Sequence, residues 1–183
     1  LYLAARHSLM SRAGLLGFSH DYFRQAVTLR YLPTEAARQT VHSRLAKYFS
    51  VREQSLRQID ELPWQLAQAG QWVELADLLT NPGFFKQAWH INQFEVKAYW
   101  ILIENQSLIS MVKSYEHTMQ KIKTDMDYIH NVGRLFEDTS HLIESMTVQK
   151  QLADYYRSNG DLKNLESCLG RQGSILLAQG NLD

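Results

Sequence analysis

An all-α architecture is what this sequence predicts: antiparallel helical hairpins that make a bundle or a short α-solenoid. Apolar residues recur at steps of three and four, and no long stretch alternates cleanly between apolar and polar. The chain is rich in Leu, Gln, Ala, Glu, Arg and Lys, all good helix formers. Only three prolines, Pro33, Pro63 and Pro82, interrupt 183 residues.

The elements follow in order. Residues 1–13 read as a helix ended by Gly14, and LLGFSH, 15–20, as a short strand pair or a turn. Asp21 to about Leu32 reads as a helix, with Phe23, Ala26, Val27 and Tyr31 at helical spacing. Pro33 and Thr34 open the next, where Glu35 suits the positive end of the helix dipole. That helix runs to about Phe49, with Ala37, Val41, Leu45 and Tyr48 as its apolar row. Residues 55–69 follow, with a kink or break expected at Pro63 and an end at Gly70. A short amphipathic helix, 71–80, stops at Asn81-Pro82-Gly83. Residues 84–91 and 93–104 read as the next helical pair. Helices over 107–123, 125–143, 147–158 and 161–179 complete the chain, the last ending at Gly180. Short connections imply antiparallel neighbours.

Bulk composition narrows the function. Lysine plus arginine equals aspartate plus glutamate at 19 each, so there is no basic excess for nucleic acid or an anionic membrane. No run reaches the ~18 apolar residues of a membrane span, and Arg6, His7 and Arg12 break up the mildly apolar start. The single cysteine, Cys168, excludes an intrachain disulfide and fits a reducing, cytoplasmic setting. It lies mid-helix and reads as buried and inert.

Motifs for chemistry are missing. There is no GxxxxGK followed by Ser or Thr, no HExxH, no CxxC and no GxSxG. None of the seven histidines stands four residues from another, the spacing with which one helix holds zinc. The expectation is a chain with no catalytic residues, no metal and no cofactor of its own. Trp64, Trp72, Trp89 and Trp100 read as core between helices. Of Tyr155 and Tyr156, one should be buried and the other exposed.

Three stretches carry a resemblance. GFSHDYFRQAVTLRYL, 17–32, resembles the end of the winged-helix module of STAND signalling NTPases, the NACHT and NB-ARC proteins. Ser19-His20-Asp21 looks like that family's Met-His-Asp motif, with serine for methionine. RQIDELPWQLAQAGQWVELADLLTNPGFF, 57–85, with EVKAYW, 95–100, is similar to the segment after the winged helix in nephrocystin-type NACHT proteins. GDLKNLESCLGRQGSILLAQGNLD, 160–183, looks like the first helix of a tetratricopeptide repeat (TPR), whose Leu-Gly pair Leu169-Gly170 matches. Glu166 and Gly173 depart from it, standing where Trp and Tyr are usual.

The resemblance implies three parts: 1–32 as the end of a winged-helix-like module, 33–146 as a helical linker and 147–183 as the start of a TPR-like region. It implies a non-catalytic arm that binds an unidentified protein partner and transmits that binding to an NTPase. Two alternatives stand beside it. In one, His20 and Asp21 help hold ADP in a full-length ADP/ATP-binding protein. In the other, the chain is a free-standing TPR-like scaffold and Asp21 merely caps a helix. If the chain is a fragment, apolar surface at its ends should drive self-association.

Overall fold

The computed structural model describes residues 9–12, 15–53, 55–121 and 125–180. It opens with a β-hairpin, β1 (Leu9–Arg12) and β2 (Leu15–Phe18), paired antiparallel from Leu9↔Phe18 to Arg12↔Leu15. The helix expected over 1–13 is therefore a strand at 9–12. Residues 1–8, 13 and 14, including the Gly14 stop, lie outside the described residues. The strand at 15–18 finds its partner upstream, so the local apolar spacing of 9–12 yields to cross-strand pairing.

Nine helices follow among the described residues. They are α1 (Asp21–Tyr31), α2 (Glu35–Ser50), α3 (Leu56–Ala69), α4 (Trp72–Thr80), α5 (Pro82–Gln106), α6 (Met111–Lys121), α7 (Met126–Asp138), α8 (Leu142–Ser158) and α9 (Leu162–Gln179). Packing is mainly between chain neighbours: α2 on α3, α4 on α5, α7 on α8 and α8 on α9. This is an all-α, TPR-like helical array, and no helix is long and apolar enough to cross a membrane among the described residues.

Local chemistry sets the boundaries. Thr34 caps α2 by accepting from the Ala37 N–H, and Ser55 caps α3 by accepting from that of Gln58. Pro63 sits inside α3 without breaking it. A mid-helix proline costs ~3 kcal/mol, yet α3 buries Ile59, Leu62 and Leu66, each contributing ~1.5–3 kcal/mol. Burial outweighs the lost bond. Asn81 ends α4 and caps α5, its Oδ1 accepting from the Phe84 N–H at 3.1 Å.

The pair expected at 84–91 and 93–104 is one long element bent at Asn92, where φ −155° and ψ 88° leave the helical region. The Asn92 Oδ1 accepts from the Phe94 N–H at 3.2 Å and restarts the second half. The expected helix over 125–143 ends earlier, at Asp138, and α8 begins at Leu142 rather than at 147. The stop is Ser140, a left-handed residue at φ 66°.

The same connection occurs three times. After α3, α7 and α8 a left-handed residue (Gly70, Ser140, Gly160) closes the helix at φ 66–70°. In each case the next N–H reaches back five residues: Gln71 to the Leu66 carbonyl, His141 to Phe136 and Asp161 to Tyr156. The left-handed residue itself donates three residues back, which completes a Schellman motif. A new helix starts immediately.

The core is one continuous cluster from α2 to α9. On α2 its contributors are Ala46 and Phe49, one position on from the expected Leu45 and Tyr48, which are 38% and 49% exposed. α2 packs chiefly on α3, so one narrow stripe is covered, and Tyr48 instead carries the Arg52 guanidinium 3.8 Å above its ring. Trp89 and Trp100 are core as expected, Trp72 is half-buried, and Trp64 is 45% exposed with its ring edge-on to His42. Tyr156 is buried and Tyr155 exposed. Cys168 is fully buried, and burial pushes its thiol pKa up, the direction of an unreactive group.

At the centre, Phe85, Trp100, Tyr115, Tyr128 and Phe136 form a nest of rings at 5.4–6.3 Å. Tyr115 accepts from the Trp100 Nε1–H (3.2 Å) and donates to the Leu79 carbonyl (3.0 Å). Tyr128 donates to the Thr80 carbonyl at 2.8 Å. The last carbonyls of α4, which have no partner within their own helix, are thus satisfied by hydroxyls from α6 and α7.

Both ends are apolar and open. α1 buries no residue, leaving Tyr22, Leu29 and Tyr31 65–84% exposed. On α9, Leu162 and Leu177 are exposed.

Candidate functional site

His20 and Asp21 come first. β2 leads through Ser19 to His20, the N-cap of α1, whose extended backbone (φ −137°, ψ 144°) carries no side-chain cap bond. The cap position thus belongs to His20, with Asp21 as the first helical residue. Asp21 pairs with Arg24 at 2.7 Å, and the His20 ring lies 6.4 Å from that of Phe23. Both are exposed, and neither lines either of the two grooves described below. Two solvated side chains do not make a nucleotide cradle by themselves; a cradle needs convergent backbone N–H groups and a phosphate-sized recess from another domain. Among the described residues no three His, Cys, Asp or Glu side chains converge as metal ligands.

Concave surface lies elsewhere. One groove, about 680 Å³, runs between α3 and α5 with the end of α4 beneath. Its floor is Ile59, Leu79, Phe84, Ala88 and Val96, all buried. Leu56 and Ile91 extend the apolar surface onto the shoulders at 75% and 50% exposure. Asp60 and Glu61 stand on the α3 wall and Glu95 and Tyr99 on the α5 wall. The Tyr99 hydroxyl is pushed up to about 12, first by burial, then by the negative charges of Glu95 and Asp60. Both carboxylates are thus felt at the Tyr99 hydroxyl.

A second groove, about 730 Å³, lies among α6, α7 and α8. Phe136, Val148 and Leu152 floor it, Met119 and Met126 soften its edge, and Glu116 and Glu144 mark its rim. Apolar floors with polar rims are the form that receives an amphipathic helix. Ion pairs brace the frame around both grooves. Lys86 meets Asp125 at 2.7 Å, Lys97 meets Asp138 at 2.8 Å and Arg171 meets Glu137 at 3.0 Å. Lys86 holds the Asp125 carboxyl below its usual value.

Sequence reasoning did not find these grooves. Asp60 is far from Glu95 and Tyr99 in the chain, and only the placement of α5 beside α3 brings them to one groove. The available signal was weak: carboxylates at the edge of otherwise apolar helix faces.

Comparison with known proteins gives one coarse likeness. The chain is 28% identical over 101 residues to a TPR repeat-containing protein of Dictyostelium discoideum. The match covers 54% of this chain but spans only 6% of that protein. No protein-family model and no solved structure matches the chain.

Proposed function

We propose that this chain is a non-catalytic protein–protein interaction arm of a larger protein, acting through its packed helices. The observation that carries the reading is the helical array with its two open, apolar-floored grooves. The likeness to a TPR repeat-containing protein supports a helical-repeat interaction role. The arm works by packing: a partner seated on it stabilises whichever arrangement of helices gives the better contacts, and so biases whatever the ends of the arm are joined to.

The larger protein is a STAND-type NTPase. Supporting this are the Ser19-His20-Asp21 and Asp60-Glu-Leu-Pro-Trp64 stretches and the passage from strand β2 into His20 at a helix start. In the second reading, His20 and Asp21 meet the diphosphate of ADP supplied by a preceding domain. The test is the coding sequence on both sides. A GxxxxGK motif ending in Ser or Thr upstream, with further helical pairs downstream, is the expected result. Its absence leaves a free-standing scaffold. In the intact protein, His20→Ala abolishes ADP dependence only if the second reading holds.

A further inference from the structure

We infer that the groove between α3 and α5 docks a cationic amphipathic helix, with a Lys or Arg of the partner seated between Asp60 and Glu95. This rests on the interaction reading above and names the chemistry of the partner.

The charge on the groove is the first argument. Of its four charged lining residues, three are carboxylates, Asp60, Glu61 and Glu95, and one is Arg57. Arg57 offsets only one of the three: its guanidinium lies 5.9 Å from the ring of Phe49 on α2, and it forms no ion pair among the described residues. Glu61 already accepts from the Gln65 side-chain amide at 3.1 Å. Asp60 and Glu95 make no hydrogen bond or ion pair among the described residues, although the frame around them is well paired. The chain as a whole carries equal numbers of cationic and anionic side chains, so this excess is local. Both carboxylates line the same groove, Asp60 from α3 and Glu95 from α5.

The shape is the second argument. The floor is a strip of buried aliphatic and aromatic side chains, and Leu56 and Ile91 carry the apolar surface past the groove onto its shoulders. A small molecule in the recess would leave those shoulders wet. A helix lying along it covers both, with its i, i+3, i+4 and i+7 side chains on the floor. An extended peptide needs a sheet edge to bond its backbone, and both walls here are helices, which offer no such edge. A helix brings its own bonds satisfied.

Binding is measured by fluorescence anisotropy on the full chain, with two labelled synthetic helices of about 18 residues. Both carry leucines at the four spacings above; one has lysines on the flanks, the other glutamates. The lysine peptide should bind about tenfold tighter than the glutamate peptide, as partly screened ion pairs allow. In Asp60→Asn/Glu95→Gln, which keeps size and fold, that preference should shrink to about twofold. Glu144→Gln, in the other groove, should leave it unchanged. Equal affinity for the two peptides, or a preference that survives in the Asp60→Asn/Glu95→Gln variant, overturns the inference. So does failure of both peptides to bind. None of these outcomes decides the broader arm reading, which the flanking coding sequence tests independently.

Discussion

Removing one buried hydroxyl from Tyr115 should cost more stability than removing one from Tyr128, and the structure says by how much. The Tyr115 ring is fully buried, and its oxygen both accepts from Trp100 Nε1–H and donates to the Leu79 carbonyl. Tyr115→Phe keeps the ring in the aromatic nest, so packing is unchanged and only hydrogen bonds are lost. Two groups are then stranded in the core, the indole N–H and the carbonyl, each at ~1–3 kcal/mol. Some of that returns, because the buried hydroxyl no longer has to be desolvated. The net expectation is a loss of about 2–4 kcal/mol. Tyr128→Phe strands one carbonyl, that of Thr80, and should cost about 1–2 kcal/mol. Tyr155→Phe, at an exposed position, should stay within about 0.5 kcal/mol of the parent. Urea unfolding reads all three as shifts of the midpoint at constant slope. If Tyr115→Phe costs less than about 0.5 kcal/mol, or no more than Tyr128→Phe, the two tyrosines do not hold the end of α4 and the reasoning fails.

Four more expectations follow from particular contacts. Gly133→Ala puts a Cβ 2.9 Å from both Gln149 Nε2 and Val148 Cγ1, so these side chains or the two helices must shift; urea unfolding should show a loss of about 1–3 kcal/mol. Ser140→Gly removes a side chain from a left-handed position and should raise the urea midpoint, by about 0.5–1 kcal/mol after the added unfolded-state freedom is subtracted. His130 has its pKa lowered, by burial first and then by Arg171 and Arg134. The unfolded chain therefore takes up that proton more readily, and stability should fall as pH drops from about 7.5 to about 5.5, a slope that His130→Gln flattens. Sedimentation velocity across a wide concentration range should show association through the open apolar surfaces of α1 and α9; a monodisperse monomer throughout would contradict it.

How legible each element was depended on how local its cause is. α4 could be bounded from sequence because Gly70 closes α3 before it and Asn81-Pro82-Gly83 stops it, both through backbone constraints of single residues. The bend at Asn92 was legible as a division between two helical stretches, though not as a bend within one element. The end of α7 was not, because its left-handed residue is Ser140 and nothing in Thr-Ser-His advertises positive φ. β1 was missed because a strand owes its existence to its partner. The row Ala37, Val41, Leu45 and Tyr48 follows from spacing alone, whereas the side of α2 that is covered depends on where α3 lies. His20 and Asp21 could be located at a helix start from sequence. The grooves could not be found, since each is a property of two or three helices at once.

The thrice-used turn has a mechanical consequence. A Schellman closure followed at once by a new helix leaves no slack, since every backbone angle at the corner is tied by two reverse hydrogen bonds. Three of the corners in this chain are therefore stiff joints. Strain applied at one end is poorly absorbed at Gly70, Ser140 or Gly160 and passes to less constrained points, among them the interrupted ladder at Asn92. That residue also sits on the wall of the acidic groove. A load on the arm and an occupant of the groove would thus act on the same joint, the one as force and the other as a splint.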